Sequence, residues 1–208
     1  MGKSSERRPI AARGSGWARA SSAALARSRV TPNQISVLSI FFAAVGAAML
    51  AWVPSTAGLL LCAACVQLRL LCNLLDGMVA MEGGKQTPTG ALYNEFPDRI
   101  ADSLLIVGLG YAAGLPWLGW LGALLAALTA YVRVSGGSLG LAQDFRGPMA
   151  KQHRMAVLTV ACLLAIAERH STGTAWVLPA AAWIIAIGSL LTCVTRTRAM
   201  AVQLRGNA

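Results

Sequence analysis

The sequence predicts an all-α integral membrane protein, with six transmembrane helices preceded by an N-terminal juxtamembrane amphipathic helix. Three observations carry that prediction. Of 208 residues, 56% are hydrophobic and only 12% charged, with a mean hydropathy of +0.58, which is outside the range of a soluble domain of this size. Apolar runs close to membrane length recur along the chain, separated by short turns containing glycine and proline. The lysines and arginines fall almost entirely in alternate loops, as a polytopic protein with a cytoplasmic positive face requires.

Residues 1–30 carry Lys3, Arg7, Arg8, Arg13, Arg19, Arg27 and Arg29 against one acid, Glu6, and belong against anionic lipid. No short apolar core with a cleavage site is present there, so no cleavable signal peptide is expected. Within this segment Trp17, Ala20, Ala24 and Leu25 fall near one helical face with Arg19 and Arg27 off it, the pattern of a helix lying in the interface. A nucleic-acid-binding arm is the competing reading of the charge run, and the membrane context weighs against it, so no nucleic acid is expected as a partner.

Thr31-Pro32-Asn33-Gln34 has the spacing of a capping box with proline at the first helical position, and a spanning helix is expected over Ile35–Val53. After an uncharged turn at Pro54–Ala57, a second helix should run from Gly58 to about Met81. It carries Gln67, Arg69, Asn73 and Asp76 in its later half. The third helix is decided by length. Ser103–Ala113 alone cannot cross a hydrocarbon core of about 30 Å at about 1.5 Å per residue. The helix must therefore start near Ala91 or Leu92, unless Pro97 marks its start, and it takes Asn94, Glu95, Asp98, Arg99 and Asp102 into the membrane. Trp117–Val134 is the fourth span, Met155–Ile166 the core of a short fifth that begins within the preceding basic segment, and Ala175–Val194 the sixth. The expected division is a basic segment (1–30), a six-helix domain (31–195) and a basic tail (196–208) carrying Arg196, Arg198 and Arg205.

An even number of spans puts both basic termini on one side, with Lys85, Arg133, Arg146, Lys151 and Arg154; the opposite loops hold only Arg169. Both ends are thus expected in the cytoplasm. Cys62, Cys65, Cys72, Cys162 and Cys193 lie inside apolar runs, an odd number that argues against a disulfide framework, and the Cys62–Cys65 spacing lacks the further ligands a metal site needs.

The chemistry concentrates in one window. Five of the eight acids (Asp76, Glu82, Glu95, Asp98 and Asp102) lie between Arg69 and Asp102. Charges within spans are costly, about 2.5–3.5 kcal/mol each at helix centre on insertion scales, and so mark function. Arg69, Asn73, Asp76 and Ala80 recur on one face of the second helix, and Asn94, Asp98 and Asp102 on one face of the third. Two antiparallel neighbours joined by a short loop would bring these oxygens together near the cytoplasmic face, a donor set suited to a hard divalent cation, magnesium or manganese. Spacing alone leaves this reading level with a polar helix-packing network, in which Asp98 and Asp102 pair with Arg99 or Arg69, and with a proton pathway.

This stretch resembles the signature of the CDP-alcohol phosphatidyltransferase family, D-x2-D-G-x2-A-R-x8-G-x3-D-x3-D. Aligned without gaps, Asn73 takes the first Asp position and Asp76-Gly77 the second with its glycine; Ala80-Met81 take the Ala-Arg. Gly90 matches, and Asn94 and Asp98 take the third and fourth Asp positions. The resemblance extends to the basic juxtamembrane helix, the Thr-Pro-Asn segment and the six spans. It implies transfer of a phosphatidyl group from a CDP-linked lipid, CDP-diacylglycerol in the usual case, to a small alcohol or polyol with release of CMP. It further implies a bacterial inner-membrane enzyme, a homodimer, with its site on the cytoplasmic side. By the same resemblance Asn73, Asp76, Asn94 and Asp98 hold the cation, Asp98 is the general base, and Asn33, Arg69, Gly77, Ala80 and Gly90 lie along the nucleotide and pyrophosphate. Arg133, Lys151 and Arg154 are its candidates for the acceptor or its phosphate.

The chain departs from the signature at Asn73, Asn94 and Met81. Each asparagine keeps an oxygen but removes a negative charge, so cation affinity should fall; Asp102 or Glu95 is expected to restore a carboxylate. The pattern is similar to an asparagine-bearing branch of the family, NxxDG…GxxxNExxDxxxD. Two alternatives stand beside the enzyme: a homologue that binds CDP-lipid without turnover, and a small transporter using Asp76, Asp98 and Asp102 as an ion relay.

Overall fold

A computed structural model describes residues 15–206; the basic residues Lys3, Arg7, Arg8 and Arg13 and the acid Glu6 lie outside the described residues. Seven helices and no strands make up the described chain: α1 (Gly16–Arg27), α2 (Pro32–Trp52), α3 (Thr56–Met81), α4 (Gly90–Ala112), α5 (Pro116–Ser138), α6 (Lys151–Ser171) and α7 (Val177–Gly206). The expected capping box is present at the start of α2. The Thr31 hydroxyl accepts from the Gln34 amide at 3.2 Å and the Gln34 side chain accepts from the Thr31 amide at 2.9 Å, satisfying two of the donors that a helix start leaves open.

Several expected boundaries move, each for a local reason. α3 starts at Thr56 rather than Gly58 because Ser55 caps it, its hydroxyl accepting from the Gly58 amide at 3.1 Å. α4 starts at Gly90 and carries Pro97 inside it, so that proline interrupts the ladder of a continuing helix. α6 extends from Lys151 to Ser171. α7 continues through the basic stretch from residue 196 to Gly206. At the start of α7 the Glu168 carboxylate accepts from the backbone amides of Trp176 at 2.8 Å and Val177 at 3.1 Å, an anion placed where the helix dipole favours one.

Six long helices follow α1, but on length and composition four of them (α2, α3, α5 and α7) qualify as membrane spans by themselves. The expected count of six is corrected to that extent. α4 and α6 are long enough, with 23 and 21 residues, but they carry charge at one end. Their exposed surfaces are nonetheless those of lipid-facing helices. Across the molecule large apolar side chains such as Phe41, Leu60, Trp120, Leu124, Leu163, Leu164 and Leu190 point outward, while Ala43, Ala47, Ala63, Ala123, Ala126 and Ala186 pack inside. Small residues between helices and large ones toward lipid are how bundles pack where burial from water gives no drive.

The helices pack in a closed ring, in the order α2, α3, α6, α7, α5, α4 and back to α2. This corrects one expectation: α3 and α4 are not packed directly together but flank α2 on either side. α2 fits between them because of Gly46, where an added Cβ would lie 3.1 Å from Leu105 of α4 and 3.2 Å from Cys65 of α3. The inside of the ring is filled by Val66, Leu105, Ile106, Leu109, Met155, Leu158 and Ile185.

α4 and α5 approach closely at a pair of glycines, where a Cβ on Gly110 would lie 2.5 Å from the Gly119 Cα. Gly110→Val should therefore destabilise the protein by about 1–3 kcal/mol or more, as overpacking does. Gly16→Ala, with nothing within 4 Å, should not. Thermal unfolding of the detergent-solubilised variants measures both.

Candidate active site

The charged residues gather at one end of the ring, where α3 finishes and α4 and α6 begin. Lys151 and Arg154 occupy the first turn of α6, where the helix dipole disfavours cations. Two carboxylates one turn apart on α4 compensate them. Lys151 Nζ makes a short hydrogen bond to Asp98 Oδ2, and Arg154 Nη2 donates to Asp102 Oδ2 at 2.7 Å. The spacing of three on α6 and four on α4 is what lets the two pairs form as successive rungs.

Arg69 reaches in from α3. Its Nη2 donates to Asp102 Oδ1 at 2.7 Å, and it lies 3.4 Å from the Asp98 carbonyl and 3.5 Å from Asp98 Oδ1. Asp102 thus has both oxygens taken by guanidinium groups from two different helices. It is buried, as are Arg69 and Arg154. Both Asp102 oxygens, expected from sequence to restore a metal carboxylate, are thus engaged by arginines, and Arg69 and Arg154, expected at the nucleotide and the acceptor, are buried against it. Glu95 does not take over either, since its Oε1 is 2.5 Å from Arg133 Nη2.

Of the other expected residues, Asp76 lies at the same charged end as Asp98. Asp76, on α3, is buried and accepts a 2.5 Å hydrogen bond from the Ser36 hydroxyl of α2 on Oδ2; its Oδ1 is buried with no hydrogen-bond partner. Asp76 lies within electrostatic reach of both Asp98 and Lys151. Asn73, one turn below, is half-buried with an unpartnered Nδ2, and Asn94, one turn before Asp98, is exposed. Gly77 and Ala80 are half-buried on the same stretch of α3, and Gly90 opens α4 with only Thr87 Oγ1 near it, 3.5 Å from where a Cβ would stand. Asn33, at the start of α2, has its amide 3.5 Å from the same Thr87 hydroxyl. Among the described residues no group of three or more His, Cys, Asp and Glu side chains forms a metal cluster, as follows from asparagine at two of the four signature positions. Asparagine oxygens are donors that hard cations accept, and Asp76 Oδ1 is an unsatisfied one, so Asn73, Asp76, Asn94 and Asp98 fit a divalent cation.

A second basic feature borders the first. Arg133, near the end of α5, donates to Gln143 Oε1 at 2.6 Å and lies over the Phe145 ring, 5.4 Å from its centroid. With Asp144 and Arg196 it lines a cleft between α5, α7 and the loop before α6. Burial raises the Asp144 carboxyl's affinity for a proton, but hydrogen bonds from Arg146 and its charge outweigh that and hold its pKa below the ordinary value. Arg196, placed by the sequence only in a basic tail, donates to the carbonyls of Thr129 at 2.7 Å and Arg146 at 2.8 Å. Ser36 also escaped the sequence reading. It lies 40 residues from Asp76, and no local pattern connects the two.

Fold and site together define a polytopic all-α membrane protein that holds an oxygen-rich polar site at one end of its bundle. The chain belongs to the CDP-alcohol phosphatidyltransferase family, whose sequence model matches residues 29–201. It is 33% identical over 181 residues to the archaetidylinositol phosphate synthase of Aeropyrum pernix, covering 86% of this chain and 88% of that one. It is 29% identical over 139 residues to the phosphatidylinositol phosphate synthase of Streptomyces avermitilis, covering 63% of this chain and 57% of that protein's length. In fold it is similar to the phosphatidylinositol phosphate synthase of Mycobacterium tuberculosis, solved with manganese and citrate (TM-score 0.72, 20% identity, 88% of each chain). The same enzyme has been solved with CDP-DAG bound (TM-score 0.70, 21% identity, 88% of this chain and 92% of that one).

Removing one member of the Asp102 clasp should be costly. Asp102→Asn leaves buried Arg154 without its carboxylate partner and Arg69 with only its 3.5 Å contact to Asp98, and should destabilise the fold by about 3–5 kcal/mol. The triple replacement Arg69→Met, Asp102→Leu, Arg154→Met should recover most of that loss, read from denaturation midpoints.

Proposed function

We propose that the protein transfers a phosphatidyl group from a CDP-linked lipid of the CDP-diacylglycerol type to a small phosphorylated polyol, an inositol phosphate, releasing CMP. The observation that carries this reading is the pairing of Asp76 and Asp98 at the signature positions of two helices, with Asp76 Oδ1 left unsatisfied. The polyol phosphate as acceptor is supported by the names of the relatives, and by cationic side chains beside the carboxylates, Lys151 and Arg133.

Asn73, Asp76, Asn94 and Asp98 are the residues that would hold a divalent cation, magnesium or manganese, which when bound neutralises charge on the pyrophosphate and on departing CMP. Ser36 fixes one oxygen of Asp76, so that the other is presented in one orientation. Asp98 accepts the proton of the acceptor hydroxyl as its oxygen attacks the lipid-bearing phosphorus and the phosphoanhydride bond to CMP breaks. Lys151, Arg69 and Arg99 surround that carboxylate and hold it in place. Lys151 and Arg133, each paired with a carboxylate in this structure, would exchange that partner for the acceptor's phosphate. The reading further places the site at the cytoplasmic face of a bacterial inner membrane and expects the chain to work as a homodimer.

A second reading rests on Asn73, Asn94 and the Lys151–Asp98 hydrogen bond, which together reduce the free negative charge: a protein that retains CDP-lipid without turnover. Purified protein with CDP-diacylglycerol, manganese and inositol phosphate should release CMP, and Asp98→Asn should abolish that release while the protein stays folded. Lipid retention without CMP for every polyol and polyol phosphate would select the binder. Asn73→Asp with Asn94→Asp should lower the cation concentration that gives half-maximal activity; an unchanged concentration would reject the weakened-site explanation.

A further inference from the structure

Lys85, read from sequence only as one more positive charge on the basic side, is a structural bolt. It stands in the loop between α3 and α4, inside the eight residues that separate the two halves of the signature. Its Nζ donates to the backbone carbonyls of Ser28 at 2.6 Å, Val30 at 3.1 Å and Leu25 at 3.4 Å. An ammonium group has three N–H donors, and each finds a carbonyl at the open C-terminal end of α1 or in the link to α2. Lys85 is thereby committed to α1 and is not free to bind a phosphate.

The same loop touches α1 a second time. A Cβ on Gly83 would lie 2.8 Å from the Ala26 Cβ, so the two segments are in van der Waals contact. Along its buried side α1 packs Ala18 against Leu74 and Met78 of α3, and Leu25 and Val30 join Ile35, Cys72 and Val79. These α3 residues bracket Asn73 and Asp76. α1 is therefore a brace on the outside of the acidic half of α3, tied by Lys85 to the loop that leads into α4.

The opposite side of α1 is free, and its chemistry is specific. At about 100° per residue the exposed face carries Trp17, Ala20 and Ala24 along one edge and Arg19 and Arg27, with Ala23 between them, along the other. Arg29 follows just beyond the helix, also exposed. No acid lies on this surface, and an aromatic strip beside a cationic one matches the headgroup layer of an anionic membrane. We propose that docking of α1 on an anionic lipid surface is transmitted through Lys85 to the loop of residues 82–89, so that membrane charge sets the order of the segment joining Asp76 to Asp98.

The inference rests on the fold and not on the proposed reaction, and its test needs no turnover. The full chain is placed in nanodiscs of phosphatidylcholine alone or of phosphatidylcholine with phosphatidylglycerol, and hydrogen exchange of the 82–89 amides is followed. In the wild type these amides should exchange several-fold, about fivefold, more slowly in the anionic discs. Arg19→Gln, Arg27→Gln and Arg29→Gln together, all at exposed positions, should erase the difference. Lys85→Gln should erase it in the loop while α1 itself still gains protection from anionic lipid; Lys85→Arg should keep it. A wild-type loop indifferent to lipid charge would overturn the proposal. So would a Lys85→Gln loop that responds as the wild type does, and unchanged α4–α7 protection would show that the variant is folded.

Discussion

One carboxylate held by two arginines organises this end of the bundle. Asp102 is on α4, Arg69 on α3 and Arg154 on α6; α3 and α6 are neighbours in the ring, and α4 packs directly on neither of them. Three buried charges would be ruinous separately in a membrane-spanning protein. Together they tie α4 across the ring to α3 and α6, and their hydrogen bonds restrain the rotation of each helix about its own axis. The surplus positive charge of this cluster then falls on Asp98, one turn away, which meets Lys151 and Arg69 at once. The two rungs are stacked in adjacent turns, with the Asp102 rung as anchor and the Asp98 rung nearer the start of α4.

α2 completes the arrangement in a way the loop connection alone would not. Because it inserts between α3 and α4, the two acidic helices are spaced apart at the backbone, and their side chains converge across a gap. Gly46 and Ala47 make that insertion close, and Ser36, ten residues earlier on the same helix, supplies the hydroxyl that holds Asp76. α2 is both the wedge that sets the spacing and a participant in the site.

Much of this was legible in the chain. Hydropathy and turn residues located all six long helices, the Thr31–Gln34 spacing placed a cap that is present, and the interval arithmetic put Asp76 and Asp98 at one end. The length argument for α4 correctly carried it back past Pro97. What spacing could not assign was the partner of each charge. Arg69, Asp102 and Arg154 all look like site residues in a window of ionisable groups, and only the crossing of three helices distinguishes a sealed counter-ion from an available ligand. Ser36 and Lys85 were silent for the same reason, since their partners lie 40 and more than 50 residues away in sequence. Helix ends were misplaced where a side chain, such as Ser55, did the capping from outside the apolar run.

The unbroken course of α7 has a practical side. Thirty residues of continuous helix, at about 1.5 Å each, measure about 45 Å, well beyond a hydrocarbon core of about 30 Å. Met200 lies against Gly136 of α5, so the protruding stretch is splinted rather than swinging. A rigid protein fused in helical phase to that stretch would turn with the bundle as one body, giving a molecule of this small mass a landmark large enough for image alignment.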